Sequence, residues 1–68
     1  MDITLNNKPE CIAEKERITV SELLALKNFT FKFLVVRVNG KAVKAGDYDN
    51  QIITDGDHVQ VIHLISGG

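Results

Sequence analysis

The sequence predicts a two-layer α+β domain, in which a mixed β-sheet is covered on one face by one short helix. Short apolar segments rich in β-branched residues alternate with turn residues, and one capping signature marks a helix start. The predicted order is strand, strand, helix, strand, strand, loop, strand. Because the helix follows a hairpin, a right-handed crossover allows parallel and antiparallel strands in one sheet.

Size and composition indicate one globular domain covering residues 1–68. The 68 residues are 44% hydrophobic and 25% charged, with a formal charge of −1. That charge, without a cluster of Lys or Arg, argues against a nucleic-acid or anionic-membrane partner. No apolar run approaches the roughly 20 residues of a membrane span, and no signal peptide opens the sequence. Cys11 is the only cysteine, so a reducing, cytoplasmic setting is expected.

The first predicted element is a hairpin. Residues 3–5 alternate apolar and polar side chains, and the turn is expected at Asn6-Asn7-Lys8-Pro9 because asparagine tolerates left-handed conformations. Residues 10–13 return as the partner strand. Cys11 lies in this short apolar strand and is expected to pack in the core as a small hydrophobic residue.

A capping box marks the start of the helix. In Thr19-Val20-Ser21-Glu22 the Thr19 hydroxyl can accept from the Glu22 N–H, while the Glu22 carboxylate reaches back to the Thr19 N–H. Ile18 and Leu23 occupy the positions of a hydrophobic staple. Asn28 is a suitable stop, so the helix should run about two turns. One face carries Val20, Leu23, Leu24 and Lys27, and Leu26 widens its apolar stripe.

The second half of the chain predicts further strands. Residues 31–38 are rich in β-branched and aromatic side chains, and Asn39-Gly40 favours a type I′ hairpin turn before the return strand 41–43. Residues 46–50 suit a loop or a single helical turn, and residues 51–53 a short strand. Residues 54–57 are expected to form a hairpin turn, and residues 59–65 the last strand.

Two of these strands carry apolar residues on both faces. Alternation puts one set under the helix: Leu34, Val36, Val38, Val59 and Val61. The opposite set, here called the docking patch, comprises Phe33, Val35, Arg37, Ile62 and Leu64. We expect this patch to dock a partner protein. The alternative is that residues 45–50 fold over it.

The last three residues, Ser66-Gly67-Gly68, follow the last strand directly. Glycine adds no side chain to a core and loses the most backbone entropy when it is ordered. A Gly-Gly end does offer a bare carboxylate on a thin peptide that fits a narrow active-site channel. Residues 66–68 are therefore predicted to be a flexible tail, which extends at most about 10 Å.

The sequence gives little support for chemistry performed by the chain itself. His58 and His63 are five positions apart in one strand, so they point to opposite faces and cannot share a metal. The aspartates between positions 47 and 57 lack the glycine and terminal glutamate of an EF-hand loop. No phosphate-binding loop and no catalytic triad occur. We expect no bound metal or cofactor and no independent enzyme activity.

The spacing of three motifs adds a family resemblance. These motifs are Val38-Asn39-Gly40 with Val43, Asp55-Gly56-Asp57 with Val59, and Gly67-Gly68. Together they resemble the ThiS family, the sulfur carriers of thiamine biosynthesis, over nearly the whole chain. The resemblance implies a β-grasp, ubiquitin-like fold with four to five strands and one short helix on one face. It also implies that the last strand is central and parallel to the first.

The same resemblance implies a carrier that other proteins act on. An E1-like adenylating enzyme, similar to ThiF, would adenylate Gly68 with ATP that the enzyme itself binds. Ser66 and Gly67 would thread its active site. A persulfide donor would then convert the adenylate to a thiocarboxylate. A thiazole synthase similar to ThiG would take the sulfur for thiazole formation.

Other functions fit the same sequence features. The small subunit of molybdopterin synthase shares the fold and the Gly-Gly end, although such proteins are usually longer. Sulfur delivery to another product, such as an amino acid, needs identical tail chemistry. A ubiquitin-like protein modifier would instead join Gly68 to a lysine through an isopeptide bond. A β-grasp binding domain with an inert tail is the remaining alternative.

Overall fold

The structure is a computed structural model that describes residues 1–29 and 34–64. Within these residues the chain forms seven strands, one α-helix and one turn of 3₁₀ helix at Ala45–Asp47. The strands are β1 (Asp2–Leu5), β2 (Lys8–Cys11), β3 (Arg17–Thr19), β4 (Leu34–Val38), β5 (Lys41–Val43), β6 (Ile52–Thr54) and β7 (His58–His63). The helix, α1, spans Val20–Leu26.

Five of the described strands form one mixed sheet in the order β2-β1-β7-β4-β5. Strand β7 runs parallel to β1 and antiparallel to β4, and the two hairpin pairs are antiparallel. The predicted mixed sheet, with the last strand central and parallel to the first, is confirmed. Strands β3 and β6 pair in a separate two-stranded sheet. Strand β3 was not predicted from the sequence.

Both hairpins turn through two residues with positive φ. Asn6 and Asn7 have φ of 51° and 67°, and Asn39 and Gly40 have φ of 52° and 82°. Such pairs of positive angles define the type I′ turn that matches the twist of antiparallel strands. In the first hairpin the turn is shorter than predicted, because Pro9 already lies in β2. Strand β2 is an edge strand, where a residue without an N–H is tolerated.

The capping box of α1 is confirmed. The Glu22 N–H donates to Thr19 Oγ1 at 3.1 Å, and the Thr19 N–H donates to Glu22 Oε1 at 3.1 Å. At the other end Asn28 adopts a φ of 60°. The Asn28 N–H donates to Ala25 O at 3.2 Å, and the Phe29 N–H donates to Leu24 O at 2.8 Å. These two bonds form a Schellman motif with asparagine at its left-handed position.

The core lies between the large sheet and α1. Its buried members are Ile3, Leu5, Ile12, Ile18, Val20, Leu23, Val36, Val38, Ile53, Val59 and Val61. On β1, β4 and β7 these residues alternate along the strand, which confirms the predicted inner face. Leu34 is half-buried and packs against the cluster. Leu26 does not join the apolar stripe, because its side chain is 60% exposed.

The predicted burial of Cys11 is wrong. Its thiol is exposed, because Cys11 lies opposite Asp2 on an edge strand and on the sheet face away from α1. Ile12, the next residue, is buried instead. The Asp2 carboxylate raises the pKa of the thiol by hydrogen bonding and by its negative charge.

The turn at residues 54–57 does not close a hairpin. It carries the chain from β6 in the small sheet to β7 in the large sheet. Gly56 has a φ of 87°, and its N–H donates to Asp2 O at 2.7 Å. The Asp2 N–H in turn donates to Asp55 Oδ1 at 2.7 Å. The turn therefore anchors the start of β1, a long-range role that a local pattern cannot predict.

Candidate functional site

Strand β7 leads to the predicted tail and is held on both sides. On one side it pairs with β4 as far as His63, which lies opposite Leu34. On the other side Asn6 extends the hydrogen bonding of β1. Its Nδ2 donates to Val61 O at 3.2 Å, and its Oδ1 accepts from the Val61 N–H at 2.8 Å. The segment before the tail is therefore fixed by backbone on one side and by a side-chain amide on the other.

Four predicted site residues lie outside the described residues. They are Phe33, Ser66, Gly67 and Gly68. Their roles in docking, in threading a partner's active site and in covalent modification stay predictions. Leu64 is the last described residue before the predicted tail at residues 66–68.

Three residues of the docking patch lie in strands of the large sheet, on the face opposite α1. They are Val35, Arg37 and Ile62. Val35 and Ile62 are direct cross-strand partners, and Arg37 lies opposite Gln60. Ile62 is 41% exposed and Leu64 is 50% exposed. Val35 is half-buried and Arg37 is exposed. Because side chains of such cross-strand partners lie about 5 Å apart, Val35 and Ile62 form one apolar surface beside a cation.

The segment after β5 does not cover the docking patch. The Ser21 N–H donates to Tyr48 O at 3.0 Å, and the Val20 N–H donates to Gln51 O at 3.0 Å. The Ser21 hydroxyl also donates to Asp49 Oδ1 at 2.5 Å. These bonds fasten the segment to the first turn of α1, on the other side of the sheet. They satisfy N–H groups that the start of any helix leaves without a partner inside the helix.

Within residues 1–29 and 34–64, no group of three or more His, Cys, Asp or Glu side chains is placed to hold a metal ion. No helix in the described part of the chain is long and apolar enough to span a membrane. One ion pair, between Lys27 Nζ and Glu10 Oε1 at 3.0 Å, joins α1 to β2 at the surface. It contributes at most about 1 kcal/mol because both side chains are partly solvated.

Two polar contacts that position β7 were not predicted from the sequence. One is the Asn6 amide on Val61. The other is a clasp at the opposite end of β7, in which Asn39 Nδ2 donates to Asp57 Oδ1 at 3.1 Å and Asn39 Oδ1 accepts from the His58 N–H at 2.9 Å. Both asparagines were predicted as turn residues. Their second role depends on partners 55 and 18–19 positions away, which no periodicity reveals.

The mixed sheet, the helix on one face and the central last strand define a β-grasp domain of the ubiquitin-like type. A family model described as the ThiS family matches residues 3–68. A crystal structure of the thiamine biosynthesis protein ThiS from Geobacter metallireducens is 33% identical, with a TM-score of 0.87 and full coverage of both chains. A solution structure of a thiamine biosynthesis protein from the same organism is 33% identical, with a TM-score of 0.78, and the match covers all of this chain and 88% of that one.

The comparison with curated protein sequences found no significant match. The family match nevertheless spans nearly all of the sequence, and the fold agrees with it. The chain belongs to the ThiS family. The predicted resemblance is therefore confirmed, and the chain is a small sulfur carrier of that family and not a catalyst.

Proposed function

We propose that this protein carries sulfur on the carboxylate of Gly68 for thiazole formation in thiamine biosynthesis. The observation that carries the proposal is the match to the ThiS family model, which extends through residue 68. The anchored position of β7 supports it, because an extended tail can be aimed only from a fixed point. Both similar structures are of thiamine biosynthesis proteins, which supports the pathway.

The carboxylate must be activated before it can accept sulfur. A carboxylate repels nucleophiles and has no good leaving group. Attack of the Gly68 carboxylate on the α-phosphate of ATP would release pyrophosphate and form an acyl adenylate, from which AMP leaves readily. The sequence has no phosphate-binding loop, so an E1-like adenylating enzyme would bind the ATP. The terminal sulfur of a persulfide donor would then attack the acyl carbon and displace AMP. A second thiol would cleave the resulting acyl disulfide, which releases the thiocarboxylate and leaves a disulfide between that thiol and the donor.

The docking patch is suited to bring the tail to that enzyme. Four residues follow Leu64, and they span at most about 14 Å when extended. The activating site must therefore lie close to the end of β7, where Ile62 and Leu64 are exposed. An enzyme surface with apolar residues and a carboxylate would complement Ile62 and Arg37. The thiazole synthase that later takes the sulfur would have to reach the same short tail.

The test compares tail variants with a glycine control. Deleting Gly68 should abolish adenylation by the cognate enzyme, because the new carboxylate would lie about 3.5 Å short of the phosphate. Gly67→Val should also suppress it, because a branched side chain would obstruct a narrow channel. Gly46→Val is the matched control. An added Cβ there meets no atom within 4 Å, so adenylation should persist.

The measurements are ATP–pyrophosphate exchange and intact mass after addition of a sulfur source. Circular dichroism and melting should match the parent for both tail variants. Equal adenylation of the truncated and intact proteins would contradict the proposal. Intact mass of protein isolated from its native cells separates a thiocarboxylate, in which sulfur replaces one oxygen, from the isopeptide conjugates of a protein modifier.

A further inference from the structure

The chain contains one Asn-Gly dipeptide, Asn39-Gly40. In such a dipeptide the backbone nitrogen of glycine can attack the asparagine side-chain carbonyl carbon. Ammonia leaves and a five-membered cyclic imide forms, and water then opens the imide to aspartate or isoaspartate. Glycine permits this attack best because it has no side chain to hinder it and its backbone is the most flexible. We propose that Asn39 is a deamidation site that the folded state protects, and that its conversion lowers the stability of the fold by placing a second carboxylate against Asp57.

The protection follows from the contacts of the Asn39 side chain. Its Nδ2 donates to Asp57 Oδ1 at 3.1 Å, and its Oδ1 accepts from the His58 N–H at 2.9 Å. The Asn39 N–H also donates to His58 O at 2.7 Å. Both polar atoms of the amide are thus held against β7 and the turn before it. The side chain must break both contacts before its carbonyl carbon can turn toward the Gly40 nitrogen.

The consequence follows from what replaces the amide. Deamidation exchanges the Nδ2 donor for a carboxylate oxygen, which would face Asp57 Oδ1 across the same short distance. Asp57 Oδ2 already accepts from the Thr54 N–H at 2.9 Å and from Thr54 Oγ1 at 3.4 Å, so Asp57 cannot turn away without losing those bonds. Two carboxylates at this separation repel in the folded state. In the unfolded chain they are free to separate.

The ionisation of Asp57 makes stability depend on pH, which a merely structural contact at Asn39 would not do. Partial burial alone would raise the pKa of Asp57, but hydrogen bonds from Thr54 and Asn39 and the nearby charge of His58 outweigh it and lower the pKa. The carboxylate of Asp55, in the same turn, accepts from the Asp2 N–H at the start of β1. Because the pKa of Asp57 is lower in the folded state, these interactions with its carboxylate stabilise the fold fully above the unfolded pKa of about 3.9. That stabilisation is lost as the pH falls through the folded pKa.

An aspartate at position 39 reverses that sign. Two opposed carboxylates raise the pKa of the pair in the folded state. Stability should then fall as the pH rises from the unfolded pKa of about 3.9 through the raised folded value, a range in which the contribution of Asp57 in the parent is already complete. In the parent, Asp57→Asn should flatten the acid limb of the stability curve. In the double variant Asn39→Asp with Asp57→Asn the reversed slope should disappear, because only one carboxylate remains.

The chemical test incubates the full chain at mildly alkaline pH, once folded and once in urea, and maps the products by peptide mass spectrometry. Conversion of Asn39 should be at least about tenfold slower in the folded protein, because only the small open population reacts. Asn50, which is followed by glutamine, is the internal control and should react slowly in both samples.

The aged protein and Asn39→Asp should both unfold at lower urea concentration than the parent. Equal rates of conversion in folded and unfolded chains would overturn the protection. An unchanged urea midpoint for Asn39→Asp, or the same loss in the Asp57→Asn background, would overturn the repulsion. If Asn39→Asp does not fold alone, restored folding in the Asp57→Asn background supports the proposal, and continued failure contradicts it.

Discussion

In the described part of the chain, asparagine supplies most of the left-handed backbone. Among the described residues, five residues other than glycine have positive φ, and four of them are Asn6, Asn7, Asn28 and Asn39. Asparagine adopts this conformation at lower cost than most residues because its short side chain bonds locally to the backbone. Each of the four turns a hairpin or ends the helix. Small turn residues therefore carry much of the information that sets the positions of the strands.

Glu14 is the one residue of these five that is not asparagine, and its conformation can be tested by substitution. Its φ is 64° and its side chain is exposed, so nothing in the core requires glutamate there. Glu14→Asn should stabilise the domain by about 0.5–1 kcal/mol, because asparagine relieves part of the left-handed strain. Glu16→Asn removes the same charge at an exposed position that lacks a positive φ, and should change stability by less. Urea midpoints at constant slope provide the measurement, and equal effects of the two substitutions would show that charge, and not conformation, is responsible.

Elements defined by local chemistry were predictable from the sequence. The α1 start depends on Thr19 and Glu22, three positions apart, and the second hairpin depends on the adjacent Asn39 and Gly40. The strand β3 was missed because it has three residues and exists only by pairing with β6, far along the chain. Cys11 was misplaced for a related reason, since its exposure follows from the position of β2 at the sheet edge.

The two faces of β7 allow a sharp test of the docking patch. Val61 is buried in the core, whereas the adjacent Ile62 is 41% exposed on the opposite face. Val61→Glu should unfold the domain, because it buries a charge without a partner. Ile62→Glu should leave the free energy of unfolding within about 0.5 kcal/mol of the parent, yet weaken binding to the adenylating enzyme by removing apolar contact and adding charge.

The two variants carry the same charge change one position apart, so each is the control for the other. Denaturation reports the fold, and titration calorimetry with the adenylating enzyme reports docking. Parent-like affinity of a folded Ile62→Glu protein would exclude the docking patch as the contact surface. Greater loss of stability at Ile62 than at Val61 would mean that the faces of β7 are assigned the wrong way round.

At the scale of the whole molecule, the sheet order follows from contacts between distant parts of the chain. The two hairpins were predictable, but local patterns do not specify that β7 inserts between them. That arrangement was expected from the family resemblance. Three side-chain hydrogen bonds reinforce it across long sequence separations: Asn6 Nδ2 donates to Val61 O, Asn39 Oδ1 accepts from the His58 N–H, and Asp55 Oδ1 accepts from the Asp2 N–H. The docking patch was predictable in part, because strand alternation alone separates Ile62 from Val61.

This arrangement predicts a gradient of local stability across the sheet. Opening β2 or β5 breaks one ladder at an edge, whereas opening β7 breaks two ladders and exposes Val59 and Val61. Amides of β7 should therefore exchange with solvent only through global unfolding, and those of the edge strands through openings at least about 1 kcal/mol less costly. Native-state hydrogen exchange by NMR measures both, and edge strands as protected as β7 would contradict this gradient.

The contact between the Asn6 amide and Val61 gives a further prediction about hydrogen exchange near the end of β7. Asn6→Gly keeps a residue that tolerates positive φ but removes the amide that accepts from the Val61 N–H. Exchange at Val61 should then accelerate by about tenfold, the effect of about 1.4 kcal/mol lost from one local contact. Asn7→Gly makes the same backbone change in the same turn and should leave Val61 as protected as in the parent. If both variants accelerate exchange at Val61 equally, the turn backbone and not the Asn6 amide holds the end of β7, and the tail would extend from a less firmly anchored strand.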